Sequence, residues 1–354
     1  MSEYWSRVVR ELKPYVPGEQ PKKNRYIKLN TNENPYPPSP SVMDAIKKAA
    51  NASLRRYPDP NCDTLKQAIA EYHGLGRQNV FVGNGSDEVL ALSFISFFKQ
   101  AHPILFPDIS YSFYEVYCSI FEIQYLRIPL TNDFDISLTD YQQPNGGIIF
   151  PNPNAPTGKL LSLEDIQALL AVNRHSVVIV DEAYIDFGGD SAIPLIGEYP
   201  NLLVAQTFSK SRSLAGMRVG SALGSEGLIE GLERAKNAFN SYPLDRLALV
   251  GAVEAITDDA YFQSTCKRVI ETREQTVAAL VKMGFSVIPS KANFVFIQHP
   301  EVAAATLYDR LKKEGILVRY FKKPRIDNFL RVTIGTDTDM QVFIEKTARI
   351  VTEG

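Results

Sequence analysis

The 354-residue chain predicts an α/β fold: a large domain with a mostly parallel sheet flanked by helices, a smaller α+β domain, and an N-terminal arm. Three observations carry this expectation. From residue 79, short apolar β-rich runs recur, each ending in a polar loop, with helical patterns between them. After about residue 250 that alternation gives way to a long helical pattern and a shorter helix-and-strand series. The first forty residues are rich in proline, and the whole length exceeds one usual domain. The expected division is 1–40 for the arm, 41–250 for the large domain and 251–354 for the small one.

In "LKPYVPGEQPKK" and "NTNENPYPPSP" the prolines forbid helix and favour an extended path. Helical periodicity starts at "SVMDAIKKAA", with Ser41 as a plausible cap, and returns in "CDTLKQAIAEYHG", closed by Gly74. The runs "NVFV", "PILF", "GGIIF", "SVVIV" and "NLLVAQ" suit strands buried on both faces. Each is followed by a polar segment: "GNGSDE", "PDISYSFYEVY", "PNPNAPTGK", "DEAYIDF" and "TFSKS". Sheets of this kind bind ligands at the carboxyl ends of their strands, so these five loops converge on one expected site. "AYFQSTCKRVIETREQTVAALVKMG" reads as a long helix, and a final helix begins near Asp337.

Lys plus Arg is 38 and Asp plus Glu is 40, a balance that argues against nucleic-acid or membrane-surface partners. Cys62, Cys118 and Cys266 are odd in number and widely spaced, which fits a reducing cytoplasm and predicts no metal site. The N-terminus lacks the apolar run of a signal peptide.

The chemistry centres on "TFSKSRSLAGMRVG". Its one lysine, Lys210, stands between Ser209 and Ser211, with Arg218 eight residues on. A lysine amine is a nucleophile when neutral, and its useful covalent product is a Schiff base. Pyridoxal phosphate makes such a product an electron sink, provided that a carboxylate holds the ring nitrogen protonated. Asp181, at the end of "SVVIV", is the candidate carboxylate; by itself it reads more readily as the helix cap or strand-end aspartate common in α/β proteins. The phosphate needs backbone donors at a helix N-terminus, hydroxyls and a cation. Gly83 and Gly85 in "GNGSDE" permit the turn, Ser86 and Asp87 open the helix, and Ser209, Ser211 and Arg218 can complete the set. An ordinary turn between strand and helix would show the same glycines.

Together these segments resemble the aspartate-aminotransferase superfamily, the fold-type I pyridoxal-phosphate enzymes, and within it look most like the histidinol-phosphate aminotransferases. The resemblance rests on "LNTNENPYPPSP", "RYPDP", "GNGSDE", "PNPNAPTG", "DEAYIDF" and "TFSKSRSLAGMRVG", in the family's order, and spans nearly the whole chain. It implies transamination of L-histidinol phosphate with 2-oxoglutarate, yielding L-glutamate, by a cytoplasmic homodimer with pyridoxal phosphate as cofactor. Lys210 would carry the cofactor and move the proton, Asp181 would pair with the ring nitrogen, and Tyr184 would bond the ring's phenolic oxygen. Tyr111 would stack on the ring, while Ser86, Asp87 through backbone groups, Ser209 and Arg218 would hold the phosphate. Arg331 resembles the family's carboxylate-binding arginine, Arg319 a second one for the phosphate ester, and Asn32 a polar lining residue of the substrate pocket. Tyr57 of "RYPDP" would cross to the neighbouring subunit's cofactor.

One departure stands out: where the family usually has Asn before "PTG", this chain has Ala155. Asn154 is the candidate substitute, and a plain turn residue is the alternative. Two rival functions remain at this stage: an aromatic aminotransferase or threonine-phosphate decarboxylase of the same superfamily, or a cofactor-binding regulator without turnover.

Overall fold

A computed structural model describes residues 3–15, 17–20 and 26–353. The arm opens with α1 (Arg7–Glu11) and reaches β1 (Ile27–Lys28). In α2 (Pro40–Ala49) the cap is Ser39 rather than the expected Ser41. The Ser39 hydroxyl accepts from the Val42 amide, and Pro40 takes the first helical position, where no N–H is needed. The helix α3 (Asp63–His73) closes at Gly74, whose φ of 68° is left-handed.

The large sheet then forms in alternation with helices. In chain order come β2 (Val80–Asn84), α4 (Gly85–Phe97), β3 (Ile104–Pro107), α5 (Phe113–Phe121) and β4 (Tyr125–Ile128). There follow β5 (Ile148–Pro151), α6 (Leu163–Val172), β6 (Val178–Asp181), β7 (Leu202–Thr207), β8 (Val219–Gly224), α7 (Glu226–Phe239) and α8 (Arg246–Thr257). The spatial order is β2-β8-β7-β6-β5-β3-β4. Only β8 runs against its neighbours in this sheet; the remaining pairs are parallel. Alternation along each strand feeds two cores. Val178, Val180 and Val204 join Phe150 on one face, whereas Ile179, Leu203 and Ala205 meet Phe106 and Phe94 on the other. Burial on both faces explains why these runs are continuously apolar.

The smaller lobe holds α9 (Asp259–Lys282), β9 (Ser286–Ile288), β10 (Phe294–Gln298), α10 (Ala304–Lys313), β11 (Ile316–Leu317), β12 (Arg319–Tyr320), β13 (Leu330–Thr333) and α11 (Asp337–Thr352). Its antiparallel sheet has the order β12-β13-β10-β9. The arm's β1 pairs with β11, and Leu29 and Tyr36 of the arm enter this lobe's core beside Val295 and Leu330. The helix α8 carries Ala248, Ala252 and Ile256 into the large lobe's core against Val42 and Leu65. A division at residue 250 therefore falls inside α8. We place the passage between lobes at Asp258, whose carboxylate caps α9 by accepting from the Tyr261 amide at 3.3 Å. Among the described residues, no helix is long and apolar enough to cross a membrane.

Candidate active site

The carboxyl ends of β2, β5, β6 and β7 open on a cavity of about 400 Å³, roofed by the arm and by β12 and β13 of the smaller lobe. Lys210 follows β7 in a turn with neither helix nor strand. Its Nζ donates to the Thr31 carbonyl at 3.3 Å and lies 5.8 Å from the centroid of the Tyr184 ring. That ring stands edge-on to Phe294, at 5.1 Å. The Tyr184 oxygen accepts from Asn32 Nδ2 at 3.0 Å. Asn32 is buried with a left-handed φ of 57° and is held on three sides. Its N–H donates to Thr333 Oγ1, its Oδ1 accepts from that hydroxyl, and its carbonyl accepts from Asn293 Nδ2. Because Oδ1 is bound to Thr333, the amide nitrogen must face Tyr184, which leaves the phenol's own proton for another acceptor.

Asp181 ends β6 and is 5% exposed. Burial pushes its carboxyl up to about 6, opposed by hydrogen bonds from the Tyr114 hydroxyl and the Ala183 amide and by the charge of Lys210. Tyr114 donates to Oδ2 at 2.9 Å and Ala183 to Oδ1 at 3.3 Å.

The N-terminus of α4 forms one end of the cavity, with Ser86 and Asp87 on its lining. Gly220 of β8 makes this possible: a Cβ there would lie 2.5 Å from the Ser86 nitrogen. Arg218 Nη2 donates to Asp87 Oδ2 at 2.9 Å, and Tyr111 donates to Asp87 Oδ1 at 2.9 Å. The Asp87 side chain thus orients a cation and an aromatic ring, a role beyond the backbone donor expected of it. Tyr111 stands edge-on to Tyr114 at 5.7 Å, and burial with the nearby Asp87 charge raises its pKa. Buried Ser209 also lines this end. Ser211 does not line the cavity, because its hydroxyl donates to the Asp186 carboxylate.

The opposite end is cationic. Arg319 of β12 and Arg331 of β13 are direct partners in the strand register, and Lys323 joins them on the lining. Arg331 Nη2 donates to the Asn30 carbonyl at 3.0 Å, and its guanidinium lies over the rings of Phe294 and Phe321 at 5.3 and 5.7 Å. Burial pushes its pKa down, while the nearby Tyr184 phenol opposes that shift. Its Nε is buried with no protein acceptor among the described residues.

Two expected residues fall elsewhere. Asn154 does not line the cavity, whereas Ala155 and Pro156 do. Its Nδ2 donates to the Ile109 carbonyl at 3.0 Å and to Thr157 Oγ1 at 2.9 Å, so its amide braces the loop. Tyr57 lies outside this chain's own cavity; it stacks on Tyr242 at 4.6 Å and is still 79% exposed. Sequence reasoning missed Tyr114, Lys323, Tyr15, which lines the cavity with its ring 6.2 Å from that of Tyr111, and Asn34, whose Nδ2 donates to the Lys210 carbonyl. The available signal for Tyr114 was a phenol inside an apolar helix, whose hydroxyl must find a partner when buried.

Residues 24–346 match the family described as aminotransferase class I and II. The chain is 59% identical over 351 residues to histidinol-phosphate aminotransferase 1 of Methylococcus capsulatus, covering 99% of this chain and 98% of that one. It is also 59% identical over 345 residues to histidinol-phosphate aminotransferase of Pseudomonas putida strain W619, covering 98% and 99%. The crystal structure of histidinol-phosphate aminotransferase from Sinorhizobium meliloti in complex with pyridoxal-5'-phosphate shares the fold, with a TM-score of 0.90 at 22% identity over 100% of this chain and 99% of that one. With relatives this similar over nearly the full length, the chain belongs to the histidinol-phosphate aminotransferase family of class I and II aminotransferases.

Proposed function

We propose that this chain transfers the amino group of L-histidinol phosphate to 2-oxoglutarate, giving imidazole acetol phosphate and L-glutamate, with pyridoxal phosphate as cofactor. The observation that carries the reading is a single cavity with Lys210 and buried Asp181 at its floor and three cations, Arg319, Lys323 and Arg331, toward the smaller lobe. The residues fit the cofactor. The donors at the start of α4 are cleared by Gly220, Arg218 and Ser209 stand beside them, and burial leaves the Asp181 carboxyl in want of a cation.

Bound there, pyridoxal phosphate supplies an electrophilic carbon for amine exchange and a ring that accepts the electrons of a broken C–H bond. Lys210 would hold it through Nζ. Asp181, kept in place by Tyr114, would hold a proton on the ring nitrogen. Tyr184, oriented by Asn32, would hydrogen-bond the ring's phenolic oxygen, with no contribution from Asn154. With the cofactor bound, the Lys210 amine would be the base that takes the proton from the substrate's Cα and redelivers it. Arg331 and Arg319 would grip the anionic groups; a planar guanidinium suits both a carboxylate and a phosphate ester. Lys323 adds a third cation at that end, which favours a phosphorylated substrate over a plain aromatic amino acid.

We further infer a cytoplasmic homodimer. Three buried free cysteines support a reducing compartment. Exposed Tyr57, Tyr242 and Phe239 support an interface between subunits. A paired assay tests the substrate: histidinol phosphate against phenylalanine and tyrosine, with 2-oxoglutarate as acceptor. Turnover should favour histidinol phosphate; a preference for the aromatic amino acids would overturn the substrate reading.

A further inference from the structure

We propose that Asn34, on the N-terminal arm, is a positioning residue for Lys210; the inference rests on Lys210 being the cofactor-holding amine. Lys210 lies between β7 and the 3-10 turn Ala215–Met217, in backbone that no helix or sheet ladder supports. A lysine that must both hold a cofactor and shuttle a proton needs a fixed Cα, because its flexible four-carbon stem already gives the amine freedom. That backbone is fixed from outside. Asn34 Nδ2 donates to the Lys210 carbonyl at 3.0 Å and to the Ser211 carbonyl at 3.2 Å. The Ser213 N–H also reaches the Lys210 carbonyl, at 3.3 Å, and the Ser211 hydroxyl is tied to Asp186.

The direction of the Asn34 amide follows from its partners. Oδ1 accepts from the Tyr36 N–H at 3.0 Å, so the nitrogen faces the two carbonyls; the reversed amide would set oxygen against oxygen. Tyr36 anchors this geometry, since it is buried in the smaller lobe's core with the Arg268 guanidinium 3.9 Å from its ring centroid. The same stretch of arm meets Lys210 at its far end: the Thr31 carbonyl accepts from Nζ, and Asn32 orients the Tyr184 ring beside it. Residues 31–34 thereby bracket the lysine from backbone to amine. Since an ångström of misplacement can cost about 100-fold in rate, loss of the backbone clamp should be visible in turnover.

Asn34→Asp separates positioning from simple packing. It keeps the side-chain volume and the acceptor for Tyr36, and replaces the donor with an oxygen facing two carbonyl oxygens. On the holoenzyme, kcat should be measured per bound cofactor, together with KM for histidinol phosphate and 2-oxoglutarate and the pH at which the cofactor's visible band changes. The expected result is a kcat lowered about 10- to 100-fold, unchanged KM values and a displaced pH midpoint. Asn34→Ala should lose in the same direction and decides the matter should the aspartate variant fail to fold. A folded variant with the parent's kcat and pH midpoint would overturn the proposal. Borohydride labelling of the parent separates the two claims: no label on Lys210 removes the underlying reading and the proposal with it, whereas a label there leaves the proposal to the kinetics.

Discussion

The Tyr114 hydroxyl donates to Asp181 Oδ2 at 2.9 Å beneath the cavity floor, and Tyr114 is completely buried. This bond lowers the carboxyl's pKa against the desolvation that raises it. Tyr114→Phe keeps the ring and removes the donor, a loss of about 1–3 kcal/mol for a buried charged partner. We expect the variant to retain cofactor and to turn over about 10-fold more slowly. Asp181→Asn should also retain cofactor but lose most turnover, because an amide cannot hold the ring-nitrogen proton. Cofactor absorbance and kcat measured together check both; a Tyr114→Phe enzyme as fast as the parent would show that the bond is dispensable.

Arg319 and Arg331 face each other in the strand register, and their losses should differ. Arg319→Ala is expected to weaken kcat/KM for histidinol phosphate by about 1.5–3 kcal/mol and to affect an unphosphorylated aromatic amino acid far less. Arg331→Ala should damage 2-oxoglutarate as well. Equal losses on both amino donors in the Arg319 variant would assign that residue a general role.

Much of this site was legible in the sequence because its key residues close buried strands or sit in distinctive loops. Asp181 ends an apolar run, Lys210 follows another, and Ser86 opens a helix after a third. What was missed depends on contacts between distant segments. β8 has the composition VGSALG, too small and glycine-rich to read as a strand, yet Gly220 is what lets it pack on the start of α4. Asn34 and Lys210 are 176 positions apart, and nothing local to either announces the bond. Asn154 has a residue type suited to the site, but the loop turns its amide onto Ile109 and Thr157. A composition change near 250 does not show which core a helix joins, and α8 packs backward onto α2 and α3.

Glu182, next to Asp181, should add to a pH dependence of stability shared with the other buried acids Asp181 and Asp186. It is 2% exposed and accepts from Ser191 Oγ, the Ala192 amide and Gln206 Nε2. Burial pushes its pKa from 4.5 up to about 7. The folded state therefore keeps a proton that the unfolded chain has released. Stability from this group is greatest below pH 4.5 and falls as pH rises toward 7. Glu182→Gln holds the site neutral and should remove that loss, worth up to about 3 kcal/mol. Urea unfolding across this range should give a flatter profile for the variant; parallel profiles would place the titration elsewhere.

Tyr57 lies outside its own chain's cavity, which fits the proposed service to a partner's site. Lys210→Ala and Tyr57→Phe, each impaired alone, are unfolded and refolded together, and about half the dimers should be hybrids. If Tyr57 crosses the interface, one site in each hybrid carries both defects and the other carries none, so activity recovers to about a quarter of the parent's. Mixing that restores nothing would keep Tyr57 within its own subunit.

Lys210 is the residue on which the proposed chemistry depends, and borohydride reduction of the purified protein followed by mass mapping of the labelled peptide tests it. The predicted result is one pyridoxyl group on Lys210. A label on Lys323, which lines the same cavity, or on any other lysine, would contradict the assignment of Lys210 and the reading of the site built on it.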